Sequence, residues 1–413
     1  MTDVERLVKP DRGAEYLQWL LDVSSIPTAA GREHRVMAWI DRWVSARPGF
    51  SVRRDAAGNM TIESRSLAAC AGCGLAPLYL TAHMDHPAFV VERVISPSVV
   101  ELSFRGGVME DYFSRARVTI HGESGSRVGA AVIEKVESPV IGGGEARPSP
   151  FGHYLAELEA GADASALTLG DVATWDLPSA EVIDGVVHSP ACDDLAAVAA
   201  ALGALDTLAH EPTPGAAEVR LLFTRSEEIG FIGAIAACRD RTIPSGARVI
   251  ALENSRAFAD SPVGGGPIVR VGDRLSVFSA SLTGAVSRRA EEVAGGPAAV
   301  AATQKNSARP GWKWQRKLMA GGACEASVFC DAGYEATCVC LPLGNYHNMS
   351  DLDAVQAGVN TDRPTIRREF IALSDYEGLI DLLVACGRGL GASAPVRPMV
   401  ERLWAQRRFV IDL

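Results

Sequence analysis

The chain has 413 residues, 47 % of them apolar and 22 % charged, with a formal net charge of −10. A chain of this length buries ample apolar surface and exceeds one ordinary domain, so a large domain carrying a smaller one is expected and a disordered chain is excluded. No apolar run reaches membrane-spanning length, and an acidic chain without a long basic run excludes a nucleic-acid groove.

The start, MTDVERLVKPDRGAEYLQWL, is charged and lacks the apolar core and small-residue cleavage site of an export signal, so a cytoplasmic location is the expectation. Apolar residues at three- and four-residue spacing predict amphipathic helices over Gly13 to Val23 and Glu33 to Val44, joined by a turn at Ile26-Pro27-Thr28. SVRRDAAGNMTIES predicts a hairpin turning at Asp55 to Asn59, and PLYLTA, Pro77 to Ala82, a fully buried strand. Between them Cys70 and Cys73 form a CxxC, but no second pair follows at zinc-ribbon distance. Nine scattered cysteines make no disulfide framework either, so two free thiols on a Gly-rich turn are expected. From about Val94 to Val187 short alternating runs such as RARVTIHG and VGAAVIEKV predict an inserted β-rich domain, residues 94–187. Residues 1–93 and 188–413 then form one discontinuous domain.

Beyond the insertion the period changes. DDLAAVAAALGALDTLA predicts a long helix, EVRLLFT and ARVIALE buried strands, and Ser287 to Ala294 and Glu325 to Asp331 further helices. EATCVCLP predicts a strand with Cys338 and Cys340 as small buried hydrophobes, and Tyr376 to Leu390 a closing helix. Strands alternating with helices define an α/β fold whose mixed, mostly parallel sheet is sandwiched by helices. GGGE at 142–145 and GGGP at 264–267 lack the Lys-Ser/Thr ending of a phosphate loop and read as turns.

Five segments set a metal-capable side chain just past a predicted buried strand or at the start of the next helix, the edge where open α/β sheets bind ligands. In LYLTAHMDHP, His83 can offer an imidazole, and Asp85 can hold the other ring nitrogen. Asp193 and Asp194 open the long helix, where paired carboxylates ordinarily serve as caps. In LLFTRSEEIGFIGA the adjacent Glu227 and Glu228 can divide labour, one binding metal and one holding a proton. Glu253 ends VIALENS, where burial is costly unless the carboxylate is paired or metal-bound, and His347 follows a strand and tight turn in LPLGNYHNMSD. Two imidazoles with three or four carboxylates suit zinc or a related divalent ion.

These pieces, with GREHRVMAWI, DAAGNM, AHMDHPAFVV, CDDL, TRSEEIGFIGA, ALENS, GGACEAS and PLGNYHN in that order, resemble the glutamyl aminopeptidase and tetrahedral aminopeptidase family of two-zinc metallopeptidases. More distantly they resemble the wider clan of zinc aminopeptidases, carboxypeptidases and dipeptidases. The resemblance implies two divalent metal ions, zinc with cobalt or manganese as alternatives. His83 and Glu253 would hold one and Glu228 and His347 the other, with Asp193 bridging, Asp85 orienting His83 and Glu227 as general base. It also implies short peptides as substrates, most often trimmed from the amino end, and a homo-oligomer. The rival readings are a carboxypeptidase or dipeptidase, an amidohydrolase acting on an N-acyl amino acid, and a non-catalytic metal-binding scaffold. No GxSxG elbow supports a nucleophilic hydrolase.

The chain departs from the family at His86, where an acidic residue is usual, and at Cys324-Glu325, where Thr-Asp is common. Glu253 stands where aminopeptidases of the family commonly have Asp, which leaves the engaged end of the substrate open. In SARPGWKWQRK, the residues Arg309, Lys313 and Arg316 read either as a solvated basic loop or as carboxylate contacts.

Overall fold

The fold, a computed structural model, is described for all residues except 1–6, 8–9, 73, 124, 142–146, 163, 299–311, 392–395 and 412–413. Two amphipathic helices lead, α1 (Pro10–Val23) and α2 (His34–Ser45). Their buried residues, among them Tyr16, Leu20, Ile40 and Trp43, join one core with Leu80, Leu221 and Leu252 of the sheet. β1 (Phe50–Arg54) and β2 (Met60–Ser64) form the expected hairpin, and β3 (Leu78–His83) is buried at every residue.

The chain then leaves this sheet for six strands, β4 (Ala88–Ser96), β5 (Val99–Arg105), β6 (Arg117–His121), β7 (Arg127–Val136), β8 (Gly152–Leu158) and β9 (Val172–Trp175). They close into a barrel in the order β8-β5-β4-β9-β6-β7, with Phe89, Leu102, Phe104, Ile120 and Trp175 in its core. A hairpin, β10 (Glu181–Ile183) and β11 (Val186–Ser189), follows the barrel.

The elements that follow include α3 (Leu195–His210), β12 (Val219–Thr224), α4 (Ile232–Arg239), β13 (Arg248–Arg256), β14 (Ile268–Asp273), α5 (Ala280–Ala294) and β15 (Gln315–Met319). After them come α6 (Glu325–Asp331), β16 (Glu335–Leu343), β17 (Glu369–Ala372), α7 (Leu373–Arg388) and α8 (Val396–Arg407). The main sheet runs β1-β2-β12-β3-β13-β16-β14-β15, and its central strands β12, β3, β13 and β16 are parallel. These strands read as continuous apolar runs because helices cover the sheet. β10, β11 and β17 make a separate antiparallel sheet.

α3 is buried from Leu195 to Leu208 and packs on α1, α7 and β3. Its small residues let the neighbouring helices approach closely: a Cβ on Gly203 would stand 3.0 Å from the Tyr16 ring. The Tyr16 hydroxyl donates to Asp206 at 2.7 Å, satisfying the polar end of a buried ring.

Several elements differ from expectation. α5 begins at Ala280, not Ser287, because Ser279 caps it by accepting from Leu282 N at 3.3 Å, while Leu282, Ala285 and Val286 supply a buried face that Ser, Thr and Gly disguise in the sequence. α7 is not the closing helix, since α8 follows it. The segment from Trp312 is no solvated loop: Trp312 and Trp314 are buried and residues 315–319 form an edge strand carrying Arg316, while Lys313 donates to Gly264 O at 3.2 Å. The GGGP turn is closed by Asp375, whose carboxylate accepts from Gly264 N at 2.7 Å and Gly266 N at 2.8 Å. Cys338 and Cys340 are fully buried on β16. GGGE, Cys73 and Arg309 lie outside the described residues. Among the described residues no helix is long and apolar enough to cross a membrane.

Candidate metal centre

Parallel strands end at one edge, so the residues that follow them meet there. His83 ends β3, Glu227 and Glu228 form the turn after β12, Glu253 lies on β13, His347 follows β16, and Asp193 precedes α3. His83 Nε2 stands 3.4 Å from Asp193 Oδ1, 3.7 Å from Glu253 Oε1 and 3.8 Å from Glu227 Oε2. His347 Nε2 stands 3.4 Å from Asp193 Oδ2 and 3.4 Å from Glu228 Oε1. The structure therefore gathers His83, Asp193, Glu227, Glu228, Glu253 and His347 at one place, and Asp193 turns one oxygen toward each imidazole.

Both rings are held by their other nitrogen. His347 Nδ1 lies 2.6 Å from Gly107 O, on the loop after β5 of the barrel, and His83 Nδ1 lies 3.1 Å from Asp85 O. A carbonyl can only accept, so each Nδ1 carries a proton, and in the neutral ring each Nε2 is the lone-pair atom that faces the carboxylates. The Asp85 carboxylate is 3.5 Å from His83 Nδ1, and its two oxygens accept from Glu227 N and Glu228 N at 3.0 Å each. Asp85 thus fixes the acidic turn as well as standing beside the imidazole.

Further buried groups hold the frame. Glu369 accepts from Cys192 N at 2.7 Å, Asp193 N at 3.0 Å and His347 N at 2.8 Å, tying two distant segments together. Burial pushes its carboxyl well above the usual range and the Asp193 charge adds to this, while the three backbone donors oppose it. Glu33 accepts from Ser226 N at 3.0 Å and from Arg225 Nε at 2.8 Å. Ser226, His347 and Asn348 have φ of 56°, 53° and 65°, so the turns that present the site sit in a region L-residues avoid and depend on these bonds. Asp194 accepts from His83 N at 3.2 Å and Asn254 Nδ2 at 3.3 Å, which engages both of its oxygens. Glu33, Asn254 and Glu369 were not predicted as site residues: a side chain that satisfies backbone N–H groups leaves no periodic mark in a sequence.

The electrostatics are those of crowded acids. Burial pushes Glu227 well above the usual carboxylate range, His83 opposes this, and Glu253, Glu325 and Asp85 add to it. Burial pushes Asp193 up too, but the two imidazoles beside it, His347 and His83, outweigh that and hold it well below the usual range. Glu325, beside Cys324, is raised to about 7, first by burial, with Thr224 and His83 opposing. His86 is buried with Nδ1 2.6 Å from Asp193 O and Nε2 3.0 Å from Asn348 Oδ1, and burial lowers its pKa to about 4. The ring is therefore neutral near pH 7, and one of its two contacts carries no proton.

A cleft of about 750 Å³ opens over the cluster, walled by Gly107 to Met109, Phe258, Leu318, Met319 and Tyr346, with Arg256, Arg270 and Lys317 also lining it. Arg270 is 2 % exposed and its Nη1 donates to Ser255 Oγ at 3.2 Å.

The donor set fits a divalent cation. A tetrahedral ion with bonds of about 2.0–2.1 Å holds its ligand atoms about 3.3–3.4 Å apart. Asp193 Oδ1 and Glu228 Oε1 are buried acceptors without a hydrogen-bond partner, and each stands 3.4 Å from an imidazole Nε2. Three groups of potential ligand atoms lie within 4.8 Å of one another: His83 with Asp193, Asp194 and Glu253; His83 with Glu227 and Glu228; and Asp193 with Glu228 and His347.

An α/β sheet with two imidazoles and several carboxylates at its carboxyl edge defines a metal-dependent hydrolase of the exopeptidase type. The profile of the M42 glutamyl aminopeptidase family matches residues 73–295, and the chain belongs to that family. It is accordingly a metallopeptidase of the aminopeptidase kind. An aminopeptidase of the archaeon Desulfurococcus kamchatkensis shares the fold at 18 % identity and a TM-score of 0.68, over 91 % of this chain and 95 % of that one. A TET aminopeptidase of the marine sediment archaeon Thaumarchaeota archaeon SCGC AB-539-E09 does so at 17 % identity and 0.68, over 91 % and 96 %. The TET1 peptidase of Pyrococcus horikoshii, described as assembling into a tetrahedron or a large octahedral shell, matches at 20 % identity and 0.66, over 90 % and 99 %. No curated protein sequence matches the chain.

Proposed function

We propose that the chain removes residues from the amino end of short peptides with two divalent cations, zinc by the nature of the donors. One would be held by His83 and Glu253, the other by Glu228 and His347, with Asp193 shared. The observation that carries this is the Asp193 carboxylate, whose Oδ1 and Oδ2 each stand 3.4 Å from a different imidazole Nε2. Asp194 is engaged by backbone and Asn254 and is left out of the ligand set on that ground.

When bound, the cations supply the Lewis acidity that amide hydrolysis requires near neutral pH. Glu227 lines the cleft, and among the described residues its carboxylate accepts no hydrogen bond, so it can take a proton from the attacking water and return it to the leaving amine nitrogen. Burial raises its affinity for that proton. Asp85 keeps the Glu227 and Glu228 backbone in place while the charge on Glu227 changes. The barrel reads as an inserted module that contributes a cleft wall through Gly107 to Met109 and fixes His347 through Gly107 O. Homo-oligomeric assembly is inferred from the relatives that form shells.

The test uses chelator-stripped protein reloaded with zinc and a panel of free dipeptides, amino-acid anilides and N-acyl amino acids. Turnover of the first two classes, lost on N-acetylation of the same peptides, is expected. Cleavage of N-acyl amino acids alone would make it an amidohydrolase. Full metal loading with no turnover would make it a scaffold.

A further inference from the structure

We propose that α8 and the residues after it form an arm that docks on a second copy of this chain; the inference rests on the homo-oligomer reading. None of residues 397–411 is buried. Met399, Val400 and Trp404 are 43 %, 50 % and 52 % exposed, and with the half-buried Leu403 they recur at helical spacing on one stripe. Phe409, Val410 and Ile411, just beyond, are 57–69 % exposed. A helix of 12 residues is marginal alone in water, and helices in proteins are stabilised by packing such a stripe. Among the described residues the stripe has little such cover, and α8 makes its main contacts with the 3₁₀ turn that follows it.

Charge indicates what covers it. The arm carries Arg397, Arg402, Arg407 and Arg408 against Glu401 and Asp412, whereas the whole chain is −10, so the body is more acidic still. A cationic, apolar arm complements an acidic surface with exposed apolar residues. The edge strand β10 offers such a face: Val182 and Ile183 are 37 % and 43 % exposed and are followed by the exposed Asp184, while Glu181 before them is paired with Arg368 at 2.7 Å. An unpaired edge of this kind is ordinarily covered or charged. An anionic bilayer is the poorer occupant, because it would attract four arginines and repel the acidic body attached to them.

The test compares three proteins by light scattering after gel filtration: the full chain, a chain ending at Leu390, and the full-length Met399→Glu/Trp404→Glu variant, whose two changed positions are exposed. The full chain is expected at a multiple of 43.7 kDa, with both variants falling to half that mass or less. An oligomer of the same mass in all three would overturn the arm and leave the oligomer standing. A full chain at 43.7 kDa would overturn the oligomer reading and the arm with it. Arm-dependent flotation with phosphatidylserine vesicles, with no arm-dependent change in mass, would assign the arm to a membrane surface instead.

Discussion

Replacing Glu369 by Gln tests whether the two halves of the site are held by one carboxylate. Glu369 is fully buried; its Oε2 accepts from Cys192 N at 2.7 Å and Asp193 N at 3.0 Å, and its Oε1 from His347 N at 2.8 Å. Gln keeps the shape but has one acceptor oxygen. If that oxygen stays with Cys192 and Asp193, the amide NH₂ faces His347 N–H, donor against donor. The bond is lost and a buried N–H is left unsatisfied, which costs about 1–3 kcal/mol. That is a sizeable part of a typical folding free energy of about 5–15 kcal/mol. His347 is at positive φ, so the loss falls on a turn that already depends on this bond. Thermal melts of metal-free protein should show a clear fall for Glu369→Gln. Chelator competition should show metal affinity reduced about 10–100-fold, the usual effect of losing an outer support. Wild-type affinity together with an unchanged melt would refute the reasoning.

Glu227→Gln should bind metal as the wild type does and lose about 10²–10⁴ in kcat; metal content by mass spectrometry and steady-state rates check both, and a wild-type rate would remove Glu227 from proton transfer. The His121 pKa is pushed down from 6.5 to about 4, first by burial and then by Arg127 and Arg35. The unfolded chain therefore takes up a proton first, so the stability from the neutral ring is complete above pH 6.5 and is lost as pH falls toward 4. His121→Gln should flatten that part of a melting profile taken from pH 4 to 7.5, and an unchanged slope would contradict the assignment. Cys70→Ser with Cys73→Ser should leave metal content and activity intact; loss of zinc would overturn the free-thiol reading.

The fold was legible where burial is one-sided in its demands. LYLTAH, VRLLFT and ARVIALE are strands covered on both faces, so each is an apolar run, and the first polar residue after it marks the sheet edge where His83, Glu227 and Glu228 stand. β14 was harder, because IVRVGD places Arg270 in the middle of a buried run, where a guanidinium interrupts the pattern. The outer carboxylates were harder again. Glu33 and Glu369 act by accepting backbone N–H groups from segments far along the chain, and only the folded backbone says which ones. α8 has helical spacing at Met399, Val400, Leu403 and Trp404, but its stripe stays exposed or half-buried among the described residues, so no complementary pattern announced it.

Anomalous diffraction at the zinc edge from crystals of zinc-loaded protein tests the two-cation centre most directly. Two peaks are expected, one on each side of the Asp193 carboxylate, the first beside His83 and Glu253 and the second beside Glu228 and His347. A single peak, or peaks that do not touch Asp193, would contradict the account.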